Sequence, residues 1–206
     1  ADRRAISTDI YGMSFVDEKV GYIVGEFGTM LKTQDGGSSF SRLNSPVPHT
    51  LFTVHFTSDR NGYAAGIDGA ILGTSVPNTG NSFLCTKKDY GDFILELEFK
   101  VNPALNSGVQ IRSQCFDEEK TLELDGKKIK VGAGRVHGYQ VEIDPSARAY
   151  SGGIYDEGRR GWLKDLKENE PARKAFKPGD WNKFRVECKG DSIKTWINDV
   201  PAADLK

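Results

Sequence analysis

The stretch Phe93-Ile94-Leu95-Glu96-Leu97-Glu98-Phe99-Lys100 decides the fold. On an extended chain Phe93, Leu95, Leu97 and Phe99 share one side, while Glu96, Glu98 and Lys100 share the other, which is the pattern of a half-buried strand. The same period of two returns downstream. Val109 and Ile111 alternate with Gln110 and Arg112, and Tyr139, Val141 and Ile143 with Gln140, Glu142 and Asp144. Phe184, Val186 and Cys188 alternate with Lys183, Arg185 and Glu187, and Ile193, Thr195 and Ile197 with Lys194, Trp196 and Asn198. Turn signals separate these runs: Asn106-Ser107-Gly108, Asp125-Gly126, Pro178-Gly179-Asp180 and Lys189-Gly190-Asp191. Short antiparallel strands at such spacing predict an all-β fold, a β-sandwich of jelly-roll type. The one helical candidate is a short, highly charged run over about residues 163–174.

Upstream the character of the chain changes. Residues 1–81 carry 6 basic and 8 acidic side chains, whereas the remaining 125 residues carry 22 and 21. Charge density therefore doubles partway along, which predicts two segments of different origin. The first segment also repeats itself. Set against each other at an offset of 41, Ser14–Thr33 and His55–Thr74 share Phe15/Phe56, Gly21/Gly62, Tyr22/Tyr63, Gly25/Gly66, Gly28/Gly69, Leu31/Leu72 and Thr33/Thr74. A period of about 40–45 residues with short strands and paired glycines is that of a propeller blade. Two blades fall short of a closed propeller, which has roughly 4–8.

The whole chain has 206 residues and a net charge of −1, so no bulk field favours nucleic acid or anionic lipid as a partner. No apolar run approaches the ~20 residues that span a bilayer. Ala1-Asp2-Arg3-Arg4-Ala5-Ile6 lacks the apolar core of an export signal. A periplasmic or extracellular location after signal removal is expected, with the cytoplasm as the alternative. Cys85, Cys115 and Cys188 match no zinc or disulfide framework and read as buried free thiols. His49, His55 and His137 form no ligand motif, and Gly36-Gly37 lacks the Lys-Ser/Thr of a phosphate loop. No cofactor is expected, and a divalent metal stays open.

Two resemblances add to this. The pattern Phe-x5-Gly-Tyr-x2-Gly-x2-Gly-x2-Leu-x-Thr, followed in its first copy by Asp35-Gly36-Gly37, resembles photosystem II assembly-factor propellers and sialidase-type repeats over about residues 10–75. It implies a scaffold that offers a surface to a protein partner, with Asp35 and the glycines making turns. Six blocks resemble the 3-keto-disaccharide hydrolase family. They are Asp68–Thr74, Asn81–Phe93, Asn106–Ser113, His137–Asp144, Gly152–Leu163 and Pro178–Asn182 running on to Trp196–Asn198. That resemblance implies a concanavalin A-like jelly roll and action on an oligosaccharide or a glycoside oxidised to a ketone at C3. The family's opening and closing strands have no counterpart. The chain thus reads as a fusion of two incomplete units, 1–67 with two blades and 68–206 with the sandwich.

Strand alternation places Gln110, Arg112, Gln140, Glu142 and Asp144 together on the face opposite the core, where they form either a sugar cleft or a solvated outer surface. A ketone at C3 acidifies the C2 proton, so the implied chemistry needs a general base and a partner for the enolate oxygen. Glu142 is the first choice as base, with Asp144 and His137 behind it. Arg112 is the expected electrophilic support, since a guanidinium stays charged and donates two hydrogen bonds. Glu142 and Asp144 as acid and base of ordinary glycoside hydrolysis is the alternative. The loop holding Tyr155, Glu157, Arg159, Arg160 and Trp162 suits a pyranose ring, with apolar faces for the sugar's CH groups and charges for its hydroxyls. Trp181 and Trp196 read as packing residues. A non-catalytic carbohydrate-binding module remains the rival reading.

Overall fold

The computed structural model describes residues 8–75 and 80–206; the signal reading of Ala1–Ile6 lies outside the described residues. The fold is all-β, with every strand pair antiparallel. The chain divides into two compact units, Ala1–Leu84 and Cys85–Lys206.

In the first unit, strands β1 (Ile10–Phe15), β2 (Gly21–Gly25), β3 (Met30–Thr33) and β4 (Ser41–Arg42) form a meander. Strands β5 (Leu51–Phe56), β6 (Gly62–Gly66) and β7 (Ile71–Thr74) repeat its first three members. The repeated glycines have a steric cause. A Cβ at Gly25 would lie 2.2 Å from the Asp9 carbonyl oxygen, and one at Gly66 would lie 2.0 Å from that of Thr50, so only glycine fits either site. Tyr22, Val24 and Met30 from one sheet share a buried core with Leu51, Val54, Phe56 and Ala64 from the other. Asp35 closes the turn after β3, accepting from the Ser39 amide (2.8 Å) and from the hydroxyls of Ser39 (2.6 Å) and Thr33 (2.8 Å). Those bonds favour the ionised carboxylate and hold its pKa down to about 2.

The second unit is a sandwich. One sheet runs β14-β13-β12-β9, built from β9 (Ser107–Cys115), β12 (Val136–Ile143), β13 (Ile154–Glu157) and β14 (Gly161–Lys164). The other runs β17-β16-β15-β8, from β8 (Phe93–Phe99), β15 (Asn182–Lys189), β16 (Ser192–Ile197) and β17 (Val200–Leu205). Strands β10 (Lys120–Leu124) and β11 (Lys127–Val131) make a separate hairpin. Ile111, Val141, Ile143 and Ile154 of the first sheet meet Phe99, Phe184, Val186, Ile193 and Ile197 of the second in one core. Phe184 is fully buried, so truncating it to Ala removes about 3–5 kcal/mol.

Three expectations change. The charged run expected to be helical over 163–174 splits: Leu163 and Lys164 are drawn into β14 by pairing with β13, and α1 spans only Glu170–Ala175. Its start is set by Asn169, whose side chain accepts from the Ala172 amide, with a proline in the first turn. Trp181 is 46% exposed instead of packed. All three cysteines are free, but only Cys188 is buried.

Candidate functional site

Strand register determines which side chains meet. Gln110, Gln140 and Tyr155 are direct cross-strand partners in sequence from β9 to β13, and Tyr155 is in turn opposite Trp162 on β14. Direct partners share a face, so these four side chains form one row across the sheet. Glu142 and Glu157 stand two residues along from Gln140 and Tyr155 and lie on that same face. This is the surface turned away from the core, because Val141, Ile143 and Ile154 point the other way.

Glu142 sits at the centre of the row's upper edge and is only 5% exposed. Asn106 Nδ2 donates to its Oε1 at 2.6 Å and Gln140 Nε2 to its Oε2 at 2.7 Å. Burial pushes the Glu142 carboxyl above its ordinary pKa; the two amide bonds pull it only partway back, and Asp144 and Glu157 add like charge. Glycine occupies the strand positions on both sides of it, Gly108 on β9 and Gly153 just before β13. Those gaps are filled from the neighbouring row. A Cβ at Gly108 would lie 2.6 Å from the Gln140 side chain, and one at Gly153 2.9 Å from Cζ3 of Trp162. Trp162 therefore leans over the glycine beside Glu142, edge-on to Tyr155 and Tyr150 with ring centres 5.3 and 5.4 Å away.

Asp144 is buried and bonded to Arg148 Nε at 3.0 Å and to the Ser146 amide at 3.1 Å. Burial alone would raise its carboxyl, but these bonds outweigh burial and hold it below its ordinary pKa. The Arg148 guanidinium lies 5.6 Å from the Tyr150 ring centre and 5.8 Å from that of Trp162. Glu157 is paired with Arg135.

The other sequence candidates stand elsewhere. Arg112 does not share the face of Gln110 and Glu142. Between the pairs His137–Gln114 and Tyr139–Ile111 the register shifts, so Arg112 and Ser113 together oppose Gly138. This bulge, with Arg112 at φ +49°, sends the guanidinium toward Asp92 (3.7 Å) at the head of β8 in the facing sheet. Asp156 is the direct partner of Tyr139, which packs on the core, so it lies on the opposite face from Glu142. Its buried carboxylate takes Arg159 Nε at 2.8 Å and Arg160 Nε at 2.7 Å, and Arg160 reaches on to Asp125 at 3.1 Å. His137 is fully buried on that side beside Phe116, its pKa lowered by burial and then by Arg159. The structure thus brings together Gln110, Gln140, Glu142, Asp144, Tyr155, Glu157 and Trp162, and separates Arg112, His137, Arg159 and Arg160 from them. Sequence reasoning passed over Asn106, Ser113 and Arg148. Asn106 was visible as a turn residue, but its bond to Glu142 was not.

Among the described residues no group of three or more His, Cys, Asp or Glu is placed to hold a metal ion, and no helix is long and apolar enough to cross a membrane.

Comparison with known proteins gives two family matches that overlap over residues 52–75. The family of the photosynthesis system II assembly factor YCF48 matches residues 2–75. A solved structure described as YCF48 bound to D1 peptide matches 92% of this chain at 18% identity, with a TM-score of 0.32, and the chain spans 50% of that protein's length. No curated protein matches. The 3-keto-alpha-glucoside-1,2-lyase-like domain family matches residues 52–206, three quarters of the chain, including the sandwich and the face that carries Glu142. The chain belongs to this family.

Proposed function

We propose that the sandwich cleaves 3-keto-glycosides by elimination, with Glu142 as the general base. The carboxylate takes the proton from C2, and the C–H electron pair becomes an enolate delocalised onto the C3 oxygen. Collapse of the enolate restores the C3 ketone, forms the C1–C2 double bond and breaks the C1–O bond. The departing oxygen takes up the proton that Glu142 then carries, so acid and base balance over the cycle. Addition of water at C1 would complete a net hydrolysis.

The observation that carries this reading is the state of Glu142. It is buried, more basic than an ordinary carboxylate, and oriented by two neutral amides instead of being neutralised by a cation. Trp162 and Tyr155 offer apolar faces to the ring, and Gln110 and Glu157 offer polar groups to its hydroxyls. Arg148, held by Asp144 beside Trp162, supplies the cation on this face that the sequence assigned to Arg112.

A 3-keto-α-glucoside with a chromogenic aglycone tests the proposal. Release of the aglycone, with growth of the ultraviolet band of the C1–C2–C3 enone, supports it; Glu142→Gln slows both by orders of magnitude. Sugar binding with no release would transfer the face to the second reading, a carbohydrate-binding module. That reading draws support from the fact that both Glu142 oxygens already hold hydrogen bonds. For the first unit we propose a passive scaffold that presents a surface to a protein partner.

A further inference from the structure

We propose that Ser113 is a positioning residue for Glu142, acting through Gln110 and Gln140. The inference rests on the assignment of Glu142 as the base. Four side chains form one directed series: Ser113 Oγ donates to Gln110 Oε1 (2.5 Å), Gln110 Nε2 to Gln140 Oε1 (3.0 Å), and Gln140 Nε2 to Glu142 Oε2 (2.7 Å). Asn106 closes the far end on Oε1. Both ends of each glutamine amide are used, so neither can rotate by half a turn without setting donor against donor or acceptor against acceptor. The series points one way and ends on a carboxylate, the strongest acceptor in it.

The backbone is shaped to make this contact. In a regular strand Ser113, three residues from Gln110, would face the core. The bulge places Arg112 and Ser113 opposite Gly138 and returns Ser113 to the face of Gln110. It requires Arg112 at φ +49° and Gly138 at φ +141°. A Cβ at 138 would lie 2.9 Å from Ser113 Cα and 3.0 Å from its Oγ. Strained backbone at Arg112, opposite a position where only glycine fits, thus converges on one hydroxyl, as strain does at functional sites. The charged groups around Glu142 are Asp144 with its partner Arg148, and Glu157 with its partner Arg135. Ser113 adds no charge to them and works only through direction.

Losing the hydroxyl leaves Gln110 Oε1 without its donor and weakens the polarised series whose last member, Gln140, donates to the ionised form of Glu142. A bond that favours the charged form lowers a carboxylate's pKa, so its loss raises it. The test is the titration of the Glu142 side-chain carboxyl by carbon NMR in the wild type, Ser113→Ala and Ser113→Thr, run alongside the pH dependence of kcat on the 3-keto-glycoside. Ser113→Ala shifts the carboxyl titration and the acid limb of kcat to higher pH together, with kcat below the limb falling about five-fold, the equivalent of one hydrogen bond. Ser113→Thr restores both. Should Ser113→Ala fail to fold, Gln110→Leu interrupts the same series and must give the same upward shift. An unchanged Glu142 titration in a folded variant overturns the proposal whatever the activity. A shifted titration in a chain that cleaves no 3-keto-glycoside upholds the series and overturns only the elimination.

Discussion

Strands β12 and β13 carry a buried carboxylate on each face, and the two are held in opposite ways. Glu142 is surrounded by neutral amides from Asn106 and Gln140, while Asp156 is clamped by the guanidinium groups of Arg159 and Arg160. A carboxylate clamped by cations forms charge-assisted bonds that tie chain segments together, and it serves the fold. One held by amides keeps its orientation yet stays free to exchange a proton. Burial with polar partners therefore does not by itself separate a catalytic acid from a structural one; the charge of the partners does. By that criterion Asp156 with Arg159 and Arg160 belongs to the structural face, and His137 is buried on that same side.

Exchanging the roles of the two carboxylates is the strongest way to break this contrast. Glu142→Gln should lower turnover by about 10²–10⁴-fold, the usual contribution of a positioned base, with the fold intact by circular dichroism. Asp156→Ala leaves the largely buried Arg159 guanidinium without its carboxylate and Arg160 with Asp125 alone, and should cost about 3 kcal/mol in chemical denaturation. Equal losses of stability in the two variants would erase the distinction.

The pH dependence sharpens it. Because the Glu142 carboxyl lies above its ordinary pKa, turnover should be full at high pH and fall away on acidification at a pH higher than a solvent-exposed glutamate would give. The stability sign runs opposite to that of a salt-bridged acid. With its folded pKa raised, Glu142 lowers stability as pH rises from the unfolded pKa through the folded one. A titration of unfolding free energy in the wild type and Glu142→Gln checks this, since only the wild type should show that decline.

Smaller effects concern the aromatic wall and the blades. Trp162→Ala should raise KM by up to about tenfold with little change in kcat, the scale of one aromatic contact, measured by steady-state kinetics. In the first unit, Asp35→Ala removes the acceptor of the Ser39 amide and should speed hydrogen exchange there, leaving sugar cleavage untouched.

Much of this was legible in the sequence and some was not, for identifiable reasons. Alternation found β8, β9, β12, β15 and β16 because in each apolar side chains face the core and polar ones the other way, and the offset of 41 found the blades because Gly25 and Gly66 admit no side chain. Parity also indicated that His137 shares a face with Tyr139 and Val141, so its distance from Glu142 was readable in advance. The bulge was not. Arg112 takes a left-handed conformation usual for glycine, and a period of two carried across it puts the guanidinium on the wrong side and leaves Ser113 out. Asn106 and Arg148 lie in turns, where spacing says nothing about direction.

The most direct measurement of the central claim uses a 3-keto-glycoside carrying deuterium at C2, turned over by the wild type and by Glu142→Gln. Proton abstraction by Glu142 predicts a primary isotope effect on aglycone release, and loss in the variant of both release and washout of the label into water. Release at an undiminished rate from Glu142→Gln, or with the C2 label retained in the products, would contradict it.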